Sequence, residues 1–302
     1  MSKPENSPGM TIGQILEIGE QQFENSGLYF GHGTTSAWDE AVYLVSHVLE
    51  LPPEADRSLL NHGLTENQQH HIQQLFERRV NERIPAPYLT GQAWFCGLTF
   101  KVDSRVIIPR SPIAFMIMAY FEPWLTIEPR RILDLCTGSG CIGIACAYAF
   151  ADAEVVLSDI SPDALEVAQE NIQAHALGDR VSAIQSDLFN QFEEQPFDLI
   201  VCNPPYVDKA DFLSMPAEYH HEPELALASG DDGLDFTRRL LREASTYLSE
   251  EGILIVEVGN SSVAMEKAFP DVPFLWLDFE EGDAGVFLLT REQLLENRES
   301  FQ

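Results

Sequence analysis

The chain reads as an α/β fold: a parallel sheet covered by helices on both faces, preceded by a small helical domain. Two observations predict it. From Arg131 onward, short runs rich in Val, Ile and Leu alternate with helical stretches, the pattern of strands buried on both sides. Before that, from Thr11 to about Glu82, apolar residues recur at three- and four-residue spacing. A length of 302 residues allows two domains, each with its own core. The expected division is a helical domain over 1–83, a β-hairpin linker over 84–110 and the α/β domain over 111–302.

In the helical part, Ile12, Ile15, Leu16 and Ile18 begin one apolar stripe, and Trp38, Val42, Leu44, Val45, Val48 and Leu49 form another. Leu51-Pro52-Pro53 closes the second. Thr65-Glu66-Asn67-Gln68 has the form of a helix-starting capping box for the stretch through Ile72, Leu75, Phe76 and Arg79. Residues 84–110 change character, with prolines, Gly91, Gly97 and an alternating Trp94–Val102 run, and predict a hairpin closing at Val106–Arg110.

Seven strands are expected in the α/β part: Ile132–Leu135, Glu154–Asp159, Val181–Asp187, Phe197–Cys202, Gly252–Val258, Phe274–Phe279 and Gly285–Thr290. Ser161-Pro162-Asp163 is a strong helix start, and further helices are expected near Gly233–Leu248 and Ser261–Phe269. Only Glu280–Ala284 separate the last two strands, too few residues for a crossover, so the last strand should run antiparallel. The sheet is thus Rossmann-like, with a reversed final strand.

No apolar run reaches membrane-spanning length. Met1–Met10 is polar with two prolines, which predicts a frayed tail rather than a signal peptide or anchor. The five cysteines lack CxxC spacing and read as reduced core residues of a cytoplasmic protein, with no metal expected. The histidine pairs His70-His71 and His220-His221 read as solvated side chains, since helical neighbours point apart. The formal charge is −30. Residues 1–110 hold 8 basic and 13 acidic side chains and the rest 10 and 35, so −25 of it falls in the second part. Such a surface repels phosphate backbones and attracts basic partners, although solubility alone also accounts for it.

The segment with the most chemistry is Asn203-Pro204-Pro205-Tyr206, at the carboxyl end of the Phe197–Cys202 strand, where open α/β sheets bind ligands. Two prolines remove two N–H donors and fix φ. The Asn203 side-chain oxygen and the Pro204 carbonyl remain as acceptors for a planar –NH2 group, and Tyr206 offers an aromatic face. A plain strand-ending turn would have the same residues. A second loop, Asp134-Leu135-Cys136-Thr137-Gly138-Ser139-Gly140-Cys141-Ile142-Gly143, contains G-x-G-x-x-G leading into a helix, with Asp159 nineteen residues beyond Gly140. Alone, it suits a dinucleotide equally well. Asp134, Asp159 and Asp187 gather carboxylates about the loop, which suits a cationic ligand better than a pyrophosphate. Asp187 would accept from a ring amine with Leu188 packed on the ring, or would simply cap a helix.

Together, Asp134–Gly140, Asp159, Ser186-Asp187-Leu188-Phe189 and Asn203-Pro204-Pro205-Tyr206 resemble the HemK family of S-adenosylmethionine-dependent methyltransferases, which methylate a glutamine side-chain amide in a protein. The resemblance covers nearly the whole chain and includes Pro85–Gly91, Phe95 and Glu222–Leu227. It implies S-adenosylmethionine, leaving as S-adenosylhomocysteine, held by Asp134, Thr137, Gly138, Ser139, Gly140, Asp159, Asp187, Leu188 and Asn203. Asn203, Pro204, Pro205 and Tyr206 would then form the catalytic turn. The branch acting on peptide chain release factors usually carries Pro-Arg-x-x-Thr-Glu after the hairpin and Trp at the position of Leu188. Here Pro109-Arg110-Ser111-Pro112-Ile113 is similar instead to the branch acting on large-subunit ribosomal protein three. Adenine N(6)-methylation of nucleic acid needs the same acceptor pair, but also basic grooves that this acidic chain lacks. The other readings are a dehydrogenase using the glycine loop for a dinucleotide and a non-enzymatic binding module with a dead site, against which the complete Asn203-Pro204-Pro205-Tyr206 argues.

A −25 domain steers a basic protein substrate. Association measured by rapid mixing should slow markedly between low and moderate salt. An on-rate indifferent to ionic strength would overturn the steering.

Overall fold

The computed structural model describes residues 9–52, 56–193, 195–279 and 282–302. Most of the expected N-terminal tail, Pro53 and part of the Glu280–Ala284 connection lie outside them. The chain forms two compact units, one of residues 1–92 with 216–221, the other of 93–215 with 222–302.

The first unit contains α1 (Ile12–Asn25), α2 (Ala37–Val48), α3 (Glu66–Glu82) and the single helical turn α4 (Ala86–Thr90). Thr11 and Thr65 each cap a helix through a reciprocal box with the Gln three residues on, and Ser36 caps α2. The apolar stripes meet in a core that includes Ile15, Phe23, Leu44, Ile72 and Phe76, although Ile18 of the first stripe points to solvent. Within this unit Arg79 is buried and contacts the Glu40 carboxylate. It also reaches Glu218, at 3.3 Å, and donates to the Tyr29 carbonyl at 2.9 Å.

The second unit continues with the hairpin β1 (Gln92–Phe95) and β2 (Leu98–Lys101), then α5 (Ile113–Met118). The hairpin expected over 84–110 is confined to ten residues. Pro85 and Pro87 sit where a helix start tolerates them, so 86–90 winds into a turn, and 106–110 join no strand.

There follow β3 (Arg131–Leu135), α6 (Cys141–Ala149), β4 (Glu154–Asp159), α7 (Pro162–Ala174), β5 (Val181–Gln185), β6 (Phe197–Cys202), α8 (Lys209–Ser214), α9 (Asp235–Tyr247), β7 (Leu248–Glu257), α10 (Ser262–Ala268), β8 (Leu275–Phe279), β9 (Gly282–Thr290) and α11 (Arg291–Glu296). Among the described residues seven strands form one sheet in the order β5-β4-β3-β6-β7-β9-β8. β3 to β7 are parallel, and β9 runs antiparallel to both its neighbours, as the short β8–β9 connection requires. Alternate residues feed two cores: Ile132, Leu157, Leu199 and Ile255 on one face, Leu133, Leu135, Ile200 and Val256 on the other.

The chain builds outward from β3 through β4 to β5, then returns to β6 on the other side of β3. The carboxyl ends of β3 and β6 therefore flank the point where strand order reverses, the position at which open α/β sheets bind ligands. α6 lies close over β3 and β4 because residue 143 is glycine. A Cβ there would stand 2.2 Å from Leu157 and 3.0 Å from the Asp134 side chain. Gly143→Ala should therefore lower stability by about 1–3 kcal/mol through overpacking, read as a shift in the denaturant midpoint. An unchanged midpoint would mean that α6 yields freely.

Candidate active site

The two loops predicted from sequence meet. Gly138, Asp159, Asp187, Leu188, Asn203 and Pro205 line one cavity over the carboxyl ends of the central strands. Asp134, Thr137, Ser139, Gly140, Pro204 and Tyr206 stand outside its lining.

Asp134 is fully buried beneath the glycine loop. One oxygen accepts from the Thr137 hydroxyl at 2.5 Å and from the Gly143 N–H at 2.9 Å, so a single carboxylate holds both ends of the loop. Its other oxygen, Oδ1, is buried without a hydrogen-bond partner. Burial raises the Asp134 pKa from its ordinary 3.8 to about 7, against the pull of those hydrogen bonds. Ser139 is buried too, and its carbonyl accepts from Asn171 Nδ2 at 2.8 Å. Asn171 in turn pairs with both backbone groups of Lys101, linking the glycine loop to the hairpin.

Asp159, at the end of β4, accepts from the Gly138 N–H and the Ser161 N–H, each at 2.9 Å. Burial raises its pKa. Both oxygens retain further lone pairs for a ligand hydroxyl. Leu188, only 3% exposed, lies in the wall. Asp187 caps no helix, since residues 188–191 are turns. Its carboxylate is gripped through both oxygens, at 2.9 Å each, by Arg239 of α9, which also lines the cavity. A ring amine would thus share Asp187 with a guanidinium.

Asn203 follows directly on β6 and faces the cavity. Tyr206 turns away toward β7: its hydroxyl donates to Glu257 Oε1 at 2.8 Å, and its carbonyl accepts from Ser261 Oγ at 2.7 Å. The other Glu257 oxygen accepts from Ser111 Oγ at 2.6 Å. Burial raises the Glu257 pKa, with the Ser111 and Tyr206 hydroxyls and the Arg110 charge acting against it. Arg110 forms a two-point pair with Glu222, at 2.6 and 2.7 Å, and the Ile108 N–H donates to the same carboxylate. Two buried glutamates thereby fix the 108–111 segment, of which sequence reasoning marked only one, Glu222, and that without a role.

The residues fit S-adenosylmethionine. Asp159 and Asp187 line the cavity with Leu188, and the buried Asp134 backs the glycine loop, a set suited to the hydroxyls, ring amine and positive charge of that cofactor. The solved structure of the hMettl16 catalytic domain in complex with MAT2A 3'UTR hairpin 1 is 14% identical, with a TM-score of 0.51 over 83% of this chain and 91% of that one. That likeness concerns the fold alone. The methyltransferase small domain family matches residues 119–218. Fold and site together define an S-adenosylmethionine-dependent methyltransferase.

Two curated relatives are similar over nearly their whole length. The ribosomal protein uL3 glutamine methyltransferase of Francisella tularensis subsp. tularensis is 48% identical across 97% of this chain and 94% of its own. The one from Bordetella pertussis is 45% identical across 94% and 96%. The chain belongs to the family of ribosomal protein uL3 glutamine methyltransferases. No helix among the described residues is long and apolar enough to cross a membrane.

A carboxyl whose pKa is raised by folding keeps its proton where the unfolded chain has lost it. The stability it contributes is present at low pH and is lost as pH rises from the unfolded value, 3.8, to the folded one, about 7 for Asp134. The melting temperature of the ligand-free protein should therefore fall between about pH 5 and pH 7, and Asp134→Asn should flatten part of that slope. Equal slopes in the two proteins would exclude Asp134 as its source.

Proposed function

We propose that this protein transfers the methyl group of S-adenosylmethionine to the side-chain amide nitrogen of a glutamine in ribosomal protein uL3, in the cytoplasm. The observation that carries the reading is the shared cavity: the acceptor-bearing turn after β6 and the carboxylates after β4 and β5 open onto the same space. When bound there, S-adenosylmethionine supplies a methyl group on a positively charged sulfur.

An amide nitrogen is a poor nucleophile because its lone pair is delocalised into the carbonyl. Asn203 and the Pro204 carbonyl accept the two amide N–H bonds, which turns the nitrogen lone pair toward the methyl and favours a pyramidal nitrogen. Asp159 accepts the ribose hydroxyls, Asp187 the adenine amine, and Leu188 packs on the adenine. Asp134, Thr137, Ser139 and Gly140 act indirectly, by holding the loop that carries Gly138. Positioning of this kind is worth up to about 7–11 kcal/mol when the reacting atoms are well aligned. Pro205 walls the cavity, and Tyr206 fixes the turn. Residues 1–83 are assigned to substrate recognition, 84–110 to the linker and 111–302 to cofactor binding and catalysis. The −25 balance of that last part suits a basic ribosomal protein.

Asn203→Ala should lower kcat for glutamine methylation about 100-fold or more while S-adenosylmethionine affinity stays within a few-fold, by peptide mass spectrometry and calorimetry. Near-normal turnover in that variant would overturn the role of Asn203.

A further inference from the structure

Glu257 is a buried carboxyl with no part in the chemistry described above. It ends β7, one residue past the Cys202–Val256 pair, and therefore lies beside the point where Asn203 leaves β6. It is 5% exposed, and placing a carboxyl there is costly unless its oxygens are used. Both are. One takes the hydroxyl of Tyr206 and the other the hydroxyl of Ser111, and these two residues are 95 positions apart in the chain. Ser111 also accepts the N–H of Ile113 at 3.2 Å, so the start of α5 is tied to the same carboxyl.

The turn from Asn203 to Tyr206 has few ways to move. At one end Cys202 is locked in the sheet between Leu135 and Val256. In the middle two prolines fix φ. At the other end, Tyr206 is held at three places: its hydroxyl on Glu257, its carbonyl on Ser261, and its ring against Gly259. Gly259 has φ +47°, and a Cβ there would stand 2.6 Å from the ring, so the backbone has been cleared for this packing. Hydrogen bonds to a carboxylate are stronger when it is ionised, and Glu257 holds the hydroxyl end of the ring.

We infer that Glu257 is a positioning residue: by holding Tyr206 and Ser111 with its two oxygens, it fixes the Asn203–Tyr206 turn and the Arg110–Ser111 segment in one relative arrangement, so that the Asn203 oxygen and the Pro204 carbonyl meet the substrate amide together. The inference rests on the proposed amide-gripping role of that turn. It assigns Glu257 no contact with substrate or cofactor.

The test compares Glu257→Ala, Glu257→Gln, Tyr206→Phe and the Glu257→Ala/Tyr206→Phe double variant, with Asn203→Ala alongside. Glu257→Ala should lower kcat about tenfold while S-adenosylmethionine affinity and the KM for the protein substrate stay within about twofold. Gln, which can still accept from Tyr206 and can donate to Ser111, should restore most of the rate. The double variant should be no slower than Glu257→Ala, because both changes break the same hydrogen bond. Tyr206→Phe breaks it from the other end and carries the test should Glu257→Ala fold poorly. A kcat within about twofold of the parent in both Glu257→Ala and Tyr206→Phe would overturn the inference, as would multiplicative effects in the double variant or equal losses of kcat and cofactor affinity. An inactive Asn203→Ala beside active Glu257 and Tyr206 variants would leave the reading of the turn standing and remove this inference alone. An active Asn203→Ala would remove the reading itself.

Discussion

The Asp134 carboxylate is the contact on which the glycine loop, the proposed cofactor half of the site, depends. Its one satisfied oxygen binds Thr137 at the start of the glycine loop and Gly143 in the first turn of α6, so loop and helix cannot separate without stranding a buried acceptor. The close approach of α6 to β3 makes this reach possible and forbids any side chain at position 143. From that fixed loop, Gly138 presents its N–H to Asp159, and Asp159 in turn orders the start of α7 through Ser161.

The half proposed to hold the substrate follows a different rule. Where the glycine loop supplies backbone that approaches closely, the turn after β6 supplies oxygen acceptors on a stiffened backbone. The two meet because the chain reverses its build direction at β3, which brings the carboxyl ends of β3 and β6 side by side. The cavity wall sets the carboxylates of Asp159 and Asp187 beside the guanidinium groups of Arg105 and Arg239, with Asp134 buried under the loop.

Much of this was legible in the sequence, for reasons that can be named. The strands from Arg131 onward are short, apolar and bounded by turn residues, and the capping pairs Thr11–Gln14 and Thr65–Gln68 are local in the chain. The shortness of the β8–β9 link dictated the antiparallel end of the sheet. What escaped was long-range. Arg239 lies 52 residues from Asp187, Asn171 lies 70 from Lys101, and Glu257 lies 51 from Tyr206. No periodicity or spacing reports such pairs. Glu257 reads in sequence as one more residue of an apolar strand, and Asn171 as one more polar residue of an amphipathic helix. The hairpin is shorter than its sequence suggests because Pro85–Gly91 has the prolines and glycine of a turn, while the same prolines also permit the helical turn that forms.

The path of the chain between the Asn203–Tyr206 turn and Glu222 bears on how the protein can be divided. Residues 216–221 belong with the helical unit, where Glu218 is fully buried against Arg79 and accepts the Tyr29 N–H at 3.0 Å. Deleting the first 92 residues would therefore not release an intact enzyme half. It would strip a carboxylate of its guanidinium and leave a six-residue stretch of the remaining polypeptide without the surface it folds against. Exchanging helical units between relatives would succeed only if this stretch travelled with its own partner.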